Sequence, residues 1–384
     1  MLDLSAATNN NEWLEMLLTA AVRQRWSDLK FTYHLDTERT DTGEEGANAK
    51  LLVSARIHRK MQPVAGLQGV SAKRVMTGLK TASGISSGRA VKPEDGLYKF
   101  RPEGADRFID IRVALFPTMA GDTMALRLPS TERLLEIDDL KMTAHNRVML
   151  DRAMSYPNGL TLVAGPMGSG KSTTMRAILK GIGTDQRSVW AVEDPVELTI
   201  DGVEQIDINA DAGNGWPEVL TAIRRSDLEV LMIGEIRNYE QASAALEIGN
   251  AGAQVLSSIH ANDSVGAVLQ LMELADSKPH TLGAQLRTVI SQRLIRTMCE
   301  TCAGIPGISC PLCSGTGFSG VRPVHEILIL DDAFIDALAN KASTTDLQAV
   351  AKSSGMRTLW ECAQELIAEG VTTVEEVQGV LGRE

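Results

Sequence analysis

The nine residues GPMGSGKST, from Gly165 to Thr173, constrain this chain more than any other stretch of it. They fit G-x-x-x-x-G-K-[ST], follow the apolar run LTLVA and open the helical pattern STTMRAILKGI. A glycine-rich turn between a strand and a helix wraps backbone N–H groups around an anion, and the helix start adds partial positive charge. The stretch therefore reads as a phosphate loop. Gly165, Gly168, Ser169, Gly170, Lys171, Ser172 and Thr173 are its expected nucleotide-binding residues. Lys171 is expected to reach the β- and γ-phosphates of ATP, and Ser172 to ligate Mg²⁺.

Such a loop needs a sheet to carry it. From Leu160 onward apolar runs alternate with longer helical patterns: GLTLVAG, SVWAVED, EVLMIGE and AQVLSSIH. That alternation predicts a parallel sheet with crossover helices, an α/β core. The chain before it is different. Leu14, Leu17, Leu18 and Ala21 fall at helical spacing. KLLVSARIHRK and RFIDIRVALFP read as strands, with a helix between them that stops near Gly84. This predicts an N-terminal α+β domain over 1–129, a linker over 130–140 and the core over 141–298. A cysteine-rich module over 299–320 and a helical region over 321–384 complete the expected organisation. In that last region Thr345/Gln348, Thr358/Glu361 and Thr373/Glu376 have the spacing of capping boxes, and Gly355 and Gly370 are expected stops. Cys362 falls with Leu359, Ala363 and Leu366 on an apolar face and reads as a core thiol.

ATP hydrolysis needs carboxylates near the metal and the attacking water. Two strand ends supply candidates. EVLMIGE ends at Glu235, and SVWAVEDPVE ends in Glu193, Asp194 and Glu197. Ligands in α/β sheets bind at the carboxyl ends of the strands, which is where both fall. VLSSIH closes another strand at His260, placed to sense the γ-phosphate or to hold Glu235.

Four of the five cysteines make C-x₂-C-x₇-C-x₂-C: Cys299, Cys302, Cys310 and Cys313. Four thiolates form a closed tetrahedral zinc site, structural rather than catalytic. No apolar run is long enough to span a bilayer, and the N-terminus lacks the marks of a signal peptide. A cytoplasmic location is expected, which favours metal ligation over disulfides. The net charge of -11 argues against nucleic acid as the direct partner.

Together these motifs resemble the secretion ATPases of type II secretion and type IV pilus systems, the GspE/PilB/PilT superfamily. The resemblance covers nearly the whole chain. It rests on the phosphate loop, on Glu193-Asp194-Pro195-Val196-Glu197, on IGEIRN with Glu235 and Arg237, on the segment around His260 and on QRL at 292–294. WSDL, KPEDG and RVALFPTMAGDTMALRL upstream are similar to further family motifs. The four cysteines, with Phe318, Gly320, Arg322 and Glu326 after them, are similar to the GspE/PilB-like, zinc-containing branch.

The resemblance implies a PAS-like N-terminal domain on a RecA-like ATPase core and a ring of six subunits. It implies that Arg112 and Arg127, with Arg89, move onto the phosphates as the domains close. It also implies an inner-membrane platform or docking protein as partner, and a peripheral location there through such partners. Lys30, RRSDLE at 224–229 and Asn238 depart from the family pattern, and with them the details of the subunit contact. The family's extra N-terminal docking domain is expected to be missing, with residues 1–25 a remnant or a different docking helix. The expected function is a hexameric Mg²⁺-dependent ATPase driving assembly or export in a type II secretion, type IV pilus or conjugative system. A nucleotide-gated scaffold and a RecA-type nucleic-acid motor are the alternatives.

Overall fold

The computed structural model describes residues 2, 4–24, 26–34, 49–57, 60–88, 90–104, 108–128, 134–183, 186–307, 310, 312–313 and 315–382. The chain divides into two compact units, 1–132 and 133–384.

In the first unit the elements run α1 (Asn10–Arg23), β1 (Asp28–His34), β2 (Lys50–Ile57), β3 (Lys60–Gln68), α2 (Gly69–Ala82), β4 (Glu94–Phe100), β5 (Ile109–Thr118) and β6 (Gly121–Arg127). The strands pair antiparallel in the order β3-β2-β1-β6-β5-β4. Period-two alternation sends Leu29, Phe31, Leu51, Val53, Ile111, Val113, Met124 and Leu126 to one buried face. α2 covers that face with Ala72, Val75, Met76 and Leu79, and α1 adds Leu14, Leu17, Leu18 and Ala21. α1 starts where Asn9 accepts from the Glu12 N–H at 3.0 Å. α2 ends just before Gly84, as its sequence predicts. The unit is an α+β domain.

The second unit carries α3 (Ala144–Met154), β7 (Gly159–Ala164), α4 (Lys171–Ile182), β8 (Val189–Glu193), β9 (Glu204–Asp207), α5 (Trp216–Ile223), β10 (Val230–Ile233), α6 (Tyr239–Asn250), β11 (Gln254–Ile259), α7 (Ser264–Leu274), α8 (Pro279–Gln285), β12 (Leu286–Met298) and β13 (Phe318–Ile329). Then follow α9 (Asp332–Ala339), α10 (Thr344–Ser353), α11 (Leu359–Ala368) and α12 (Val374–Leu381). The sheet order is β13-β12-β7-β11-β10-β8-β9, parallel except for the antiparallel β12–β13 pair. Both faces are covered, which is why the strands read as continuous apolar runs rather than alternating ones. Leu160, Leu162, Leu231 and Ile233 pack toward α5, α6 and α7, while Val163, Val230 and Met232 pack toward α3 and α4.

The helical tail follows its capping signals with one correction. α11 has the reciprocal Thr358/Glu361 box, and Thr373 caps α12 by accepting from the Glu376 N–H. α10 instead starts at Ser343, which accepts from the Asp346 N–H. Thr345 lies one step inside that helix, because Ser343 offers the earlier hydroxyl with an acidic residue three positions on. Cys362 is 1% exposed beside Leu359, Ala363 and Leu366, a core thiol as its spacing predicts.

Candidate active site and cysteine cluster

β7 ends at Ala164, and the chain turns through 165–170 into α4. The turn is pressed against β12. A Cβ on Gly165 would stand 2.7 Å from the Gln292 carbonyl oxygen, and one on Gly170 would stand 2.8 Å from Gln292 Nε2. Gly170 also holds φ 86°, a left-handed conformation that side chains resist. Gln292, 1% exposed, donates from Nε2 to Ser169 O at 2.7 Å and accepts from Thr174 Oγ1 at 2.6 Å. It laces the loop to the first turn of α4. No side chain caps α4, so its leading N–H groups face the loop's interior as an anion cradle.

Lys171 opens the helix and donates from Nζ to Gly165 O at 2.9 Å and Pro166 O at 3.2 Å. Burial pulls its ammonium below the usual lysine range, Glu235 opposes that shift and Arg293 adds to it. Lys171 and Glu235 therefore feel each other's charge, although they come from opposite ends of the motif set. Ser172 is exposed beside them.

β11 lies between the phosphate-loop strand β7 and β10. The turn after β10 is held from both sides, by Gly234 N to Val192 O at 2.9 Å and Ile236 N to Ser258 O at 2.7 Å. There Glu235 projects. Its Oε1 is 2.5 Å from His260 Nε2, and its Oε2 accepts from Arg237 at 2.8 Å (Nε) and 2.7 Å (Nη2). The carboxylate is thus held by Arg237 on one oxygen and lies against His260 with the other.

Glu193 has another environment. It is 5% exposed at the end of β8. One oxygen accepts from Arg176 at 2.7 Å and the other from Gln205 at 3.0 Å. Arg176, on α4, also reaches the more exposed Glu197 at 3.1 Å. Burial works against the Arg176 charge, but Glu193 and Glu197 outweigh it and raise its pKa. The pair bolts the phosphate-loop helix to the end of β8. Neither Arg176 nor Gln205 belongs to a motif. Each reads as an ordinary polar residue until the fold brings it to Glu193.

The four cysteines meet in the connection at the tip of the β12–β13 hairpin. Their sulfurs lie within 4.8 Å of one another, with Cys299–Cys310 at 3.7 Å and Cys302–Cys313 at 3.6 Å. A tetrahedral site with metal–sulfur bonds of about 2.3 Å has sulfur–sulfur edges of about 3.8 Å, so the cluster is shaped to hold a metal ion. The five cysteines form no disulfide. Burial would raise Cys299, but backbone N–H groups of Cys302 and Thr301 and the Ser319 hydroxyl bring it down to about 6, a ready thiolate. Below the cluster Arg296 pairs with Glu376 of α12 and lies 4.2 Å from the Phe318 ring centre. Met298 N donates to Val371 O at 2.8 Å.

In the first unit Arg112 and Arg127 are register partners on β5 and β6, both exposed. Arg127 and Arg56 share Asp28, at 3.3 and 3.1 Å. Arg89 lies outside the described residues.

The family model described as Type II/IV secretion system protein matches residues 18–379. The type II secretion system protein HxcR of Pseudomonas aeruginosa is 32% identical over 95% of this chain and 76% of its own. The type IV pilus assembly ATPase PilB of Thermus thermophilus is 31% identical over 98% of this chain, but over 43% of its own. Among solved structures, the Legionella pneumophila ATPase DotB superposes over 97% of this chain and 96% of that one (TM-score 0.69, 17% identity). The pilus retraction motor PilT with bound ADP superposes over 95% of this chain and 96% of that one (TM-score 0.61, 20% identity). No helix among the described residues is long and apolar enough to cross a membrane.

Proposed function

We propose that this chain, which belongs to the type II/IV secretion system protein family, is a motor ATPase that turns ATP hydrolysis into domain motion for assembly or export. One observation carries the reading. The phosphate loop after β7 and the Glu235 carboxylate after β10, set against Arg237 and His260, stand at the carboxyl ends of strands of one parallel sheet, on either side of β11.

In this reading Gly165, Gly168, Ser169, Gly170 and Thr173 present backbone N–H groups to the phosphates. Lys171 exchanges the carbonyls of Gly165 and Pro166 for the β- and γ-phosphate oxygens. Ser172 would hold Mg²⁺, which neutralises phosphate charge when bound. Glu235 orients the attacking water, and His260 and Arg237 keep its carboxylate in place. His260 would also sense the γ-phosphate. Glu193 accepts from Arg176 and Gln205 and so anchors α4 to the end of β8; as the second candidate to orient water it would use its remaining acceptor sites. Arg112 and Arg127, with Arg89, would supply charge to the phosphates only in a closed state, as arginine fingers do. Cys299, Cys302, Cys310 and Cys313 would hold one zinc; four thiolates leave no open position, so its role is to brace the hairpin.

The strand order, with β11 inserted between β7 and β10, supports a RecA-like core. The antiparallel sheet with α2 across it supports a PAS-like N-terminal domain. We further propose a ring of six subunits at the cytoplasmic face of the inner membrane, held there by platform or docking proteins, with no direct nucleic-acid contact. The proposed organisation is 1–129, a linker over 130–140, the ATPase core over 141–298, the zinc module over 299–320 and the helical region over 321–384. ATP turnover measured on the wild type, Lys171→Ala and Glu235→Gln tests the function. Robust wild-type turnover, lost in both variants while each still folds, is expected. Equal and negligible rates in all three would reject the motor and favour a nucleotide-gated scaffold.

A further inference from the structure

Glu326, on β13, is 4% exposed, and its two carboxylate oxygens go to two different helices. Oε1 accepts from the N–H of Ser264, the first residue of α7, at 2.8 Å. Oε2 accepts from the N–H of Leu359, the first residue of α11, at 3.1 Å. The helix caps themselves are otherwise engaged: Asp263 accepts from Gly266 N, and Thr358 accepts from Glu361 N. One carboxylate therefore answers the leading N–H of two helices and faces the positive end of both dipoles. Burial raises its pKa, and the Ser264 and Leu359 donors oppose that shift, so its charged form depends on both helices.

Each helix leads somewhere. Ser264 is four residues after His260, and its Oγ also donates to the Glu326 carbonyl at 3.2 Å. Between them, Asn262 O accepts from Arg293 at 2.7 Å. The segment that delivers His260 to Glu235 is thus pinned at Ile259 in β11, at Asn262 and at Ser264. On the other side, α11 packs Leu359, Cys362, Ala363 and Leu366 against Ile295, Val324 and Val377. Val371, just beyond α11, accepts from Met298 beside the cysteine cluster.

We propose that Glu326 is a positioning residue: it sets the 260–264 segment so that His260 meets Glu235, and it links that placement to the C-terminal helices. This rests on the reading of Glu235 as the water-orienting group. Glu326 itself touches neither phosphate nor water in the reaction. Loosening it misplaces the hydrolytic group while leaving the phosphate loop unchanged, so turnover falls and nucleotide affinity does not.

Glu326→Gln keeps the side chain's size. Its single amide oxygen can serve one N–H, and its NH₂ must face the other. In the full chain, kcat for ATP is expected to fall about 10- to 100-fold, the range for a modest misplacement of a catalytic group. KM should change less than about twofold. In a cycle with His260→Ala, the double variant is expected to be no slower than His260→Ala alone, because both act on one contact. Hydrogen exchange of the nucleotide-free protein is expected to quicken together at 260–267 and 357–362. If Glu326→Gln does not fold, Ser264→Ala removes only the Ser264 hydroxyl contact, and a severalfold fall in kcat with faster exchange at 260–267 is expected. An unchanged kcat, multiplicative losses in the cycle, or faster exchange confined to 357–362 would overturn the proposal. A wild type without turnover would reject the ATPase reading instead, and the two exchange windows would still decide whether Glu326 links these segments.

Discussion

Replacing Arg176 by methionine should strongly destabilise the second unit. The side chains of Arg176 and Glu193 are 5% and 6% exposed and 2.7 Å apart. Removing one partner of a buried pair costs about 3–5 kcal/mol, because the other charge stays behind without compensation. Arg176→Met leaves Glu193 with Gln205 alone and falls in that range. Glu193→Gln leaves Arg176 with Glu197, whose side chain is 53% exposed, so part of the charge remains met. Its cost should be nearer 2 kcal/mol, roughly the loss of one charge-assisted hydrogen bond. At about 2–4 °C per kcal/mol for a unit of this size, the losses are roughly 6–20 °C and 4–8 °C. The double variant removes both charges and should melt above Arg176→Met. Thermal melts of the three variants, followed by circular dichroism, measure this. A double variant whose loss equals the sum of the singles would show that the two groups do not interact. An Arg176→Met melting with the wild type would show that α4 is not bolted to β8 by this contact.

His325 is 1% exposed, and burial pushes its pKa down to about 3. The unfolded chain binds this proton below about pH 6.5 and the folded one does not, so stability falls as pH drops through that window. Its share of the loss between pH 7.5 and 5.5 is about 1.4 kcal/mol, and urea titrations of the wild type and His325→Gln should differ by that slope. Gly170→Ala puts a methyl 2.8 Å from Gln292 Nε2 at φ 86°, and fluorescent ATP-analogue titration should show at least about tenfold weaker binding. Stripping metal with a chelator should release about one zinc per chain and lower the melting temperature; a metal-free preparation with unchanged melting would remove the brace from the account. Thr358→Ala breaks the cap of α11 and should cost about 1 kcal/mol in urea unfolding.

Much of this was legible in the sequence because some chemistry has fixed spacing. The phosphate loop, Glu235, His260 and the cysteine pairs announce themselves by position along the chain, and the strands β7, β8, β10 and β11 announce themselves as apolar runs. What stayed hidden depends on contacts between distant positions. Glu193 reads as a hydrolytic candidate at a strand end. Only folding shows that Arg176, 17 residues earlier, pairs with it. Glu326 falls inside a recognisable motif, but its partners Ser264 and Leu359 lie 62 and 33 residues away. The cap at Ser343 is hidden for the opposite reason: three hydroxyl residues, Ser343, Thr344 and Thr345, stand in a row, and local spacing alone does not rank them.

The length of β12 has a mechanical consequence. Leu286 to Ser291 pair with the phosphate-loop strand β7, but Arg293 to Met298 pair with β13 alone. Beyond Ser291 the hairpin is a two-stranded arm of about 23 Å, at about 3.3 Å per residue. Its base holds Gln292, which touches the phosphate loop, and its tip holds the cysteine cluster. A swing of about 5° at the base would carry the tip about 2 Å over that length. A change too small to notice around the phosphates is then a displacement the size of an atom at the far end. Stiffness is what such an arm requires, and four sulfurs drawn onto one ion, with Arg296 clamped to Glu376 behind them, would give it a tip that moves without bending.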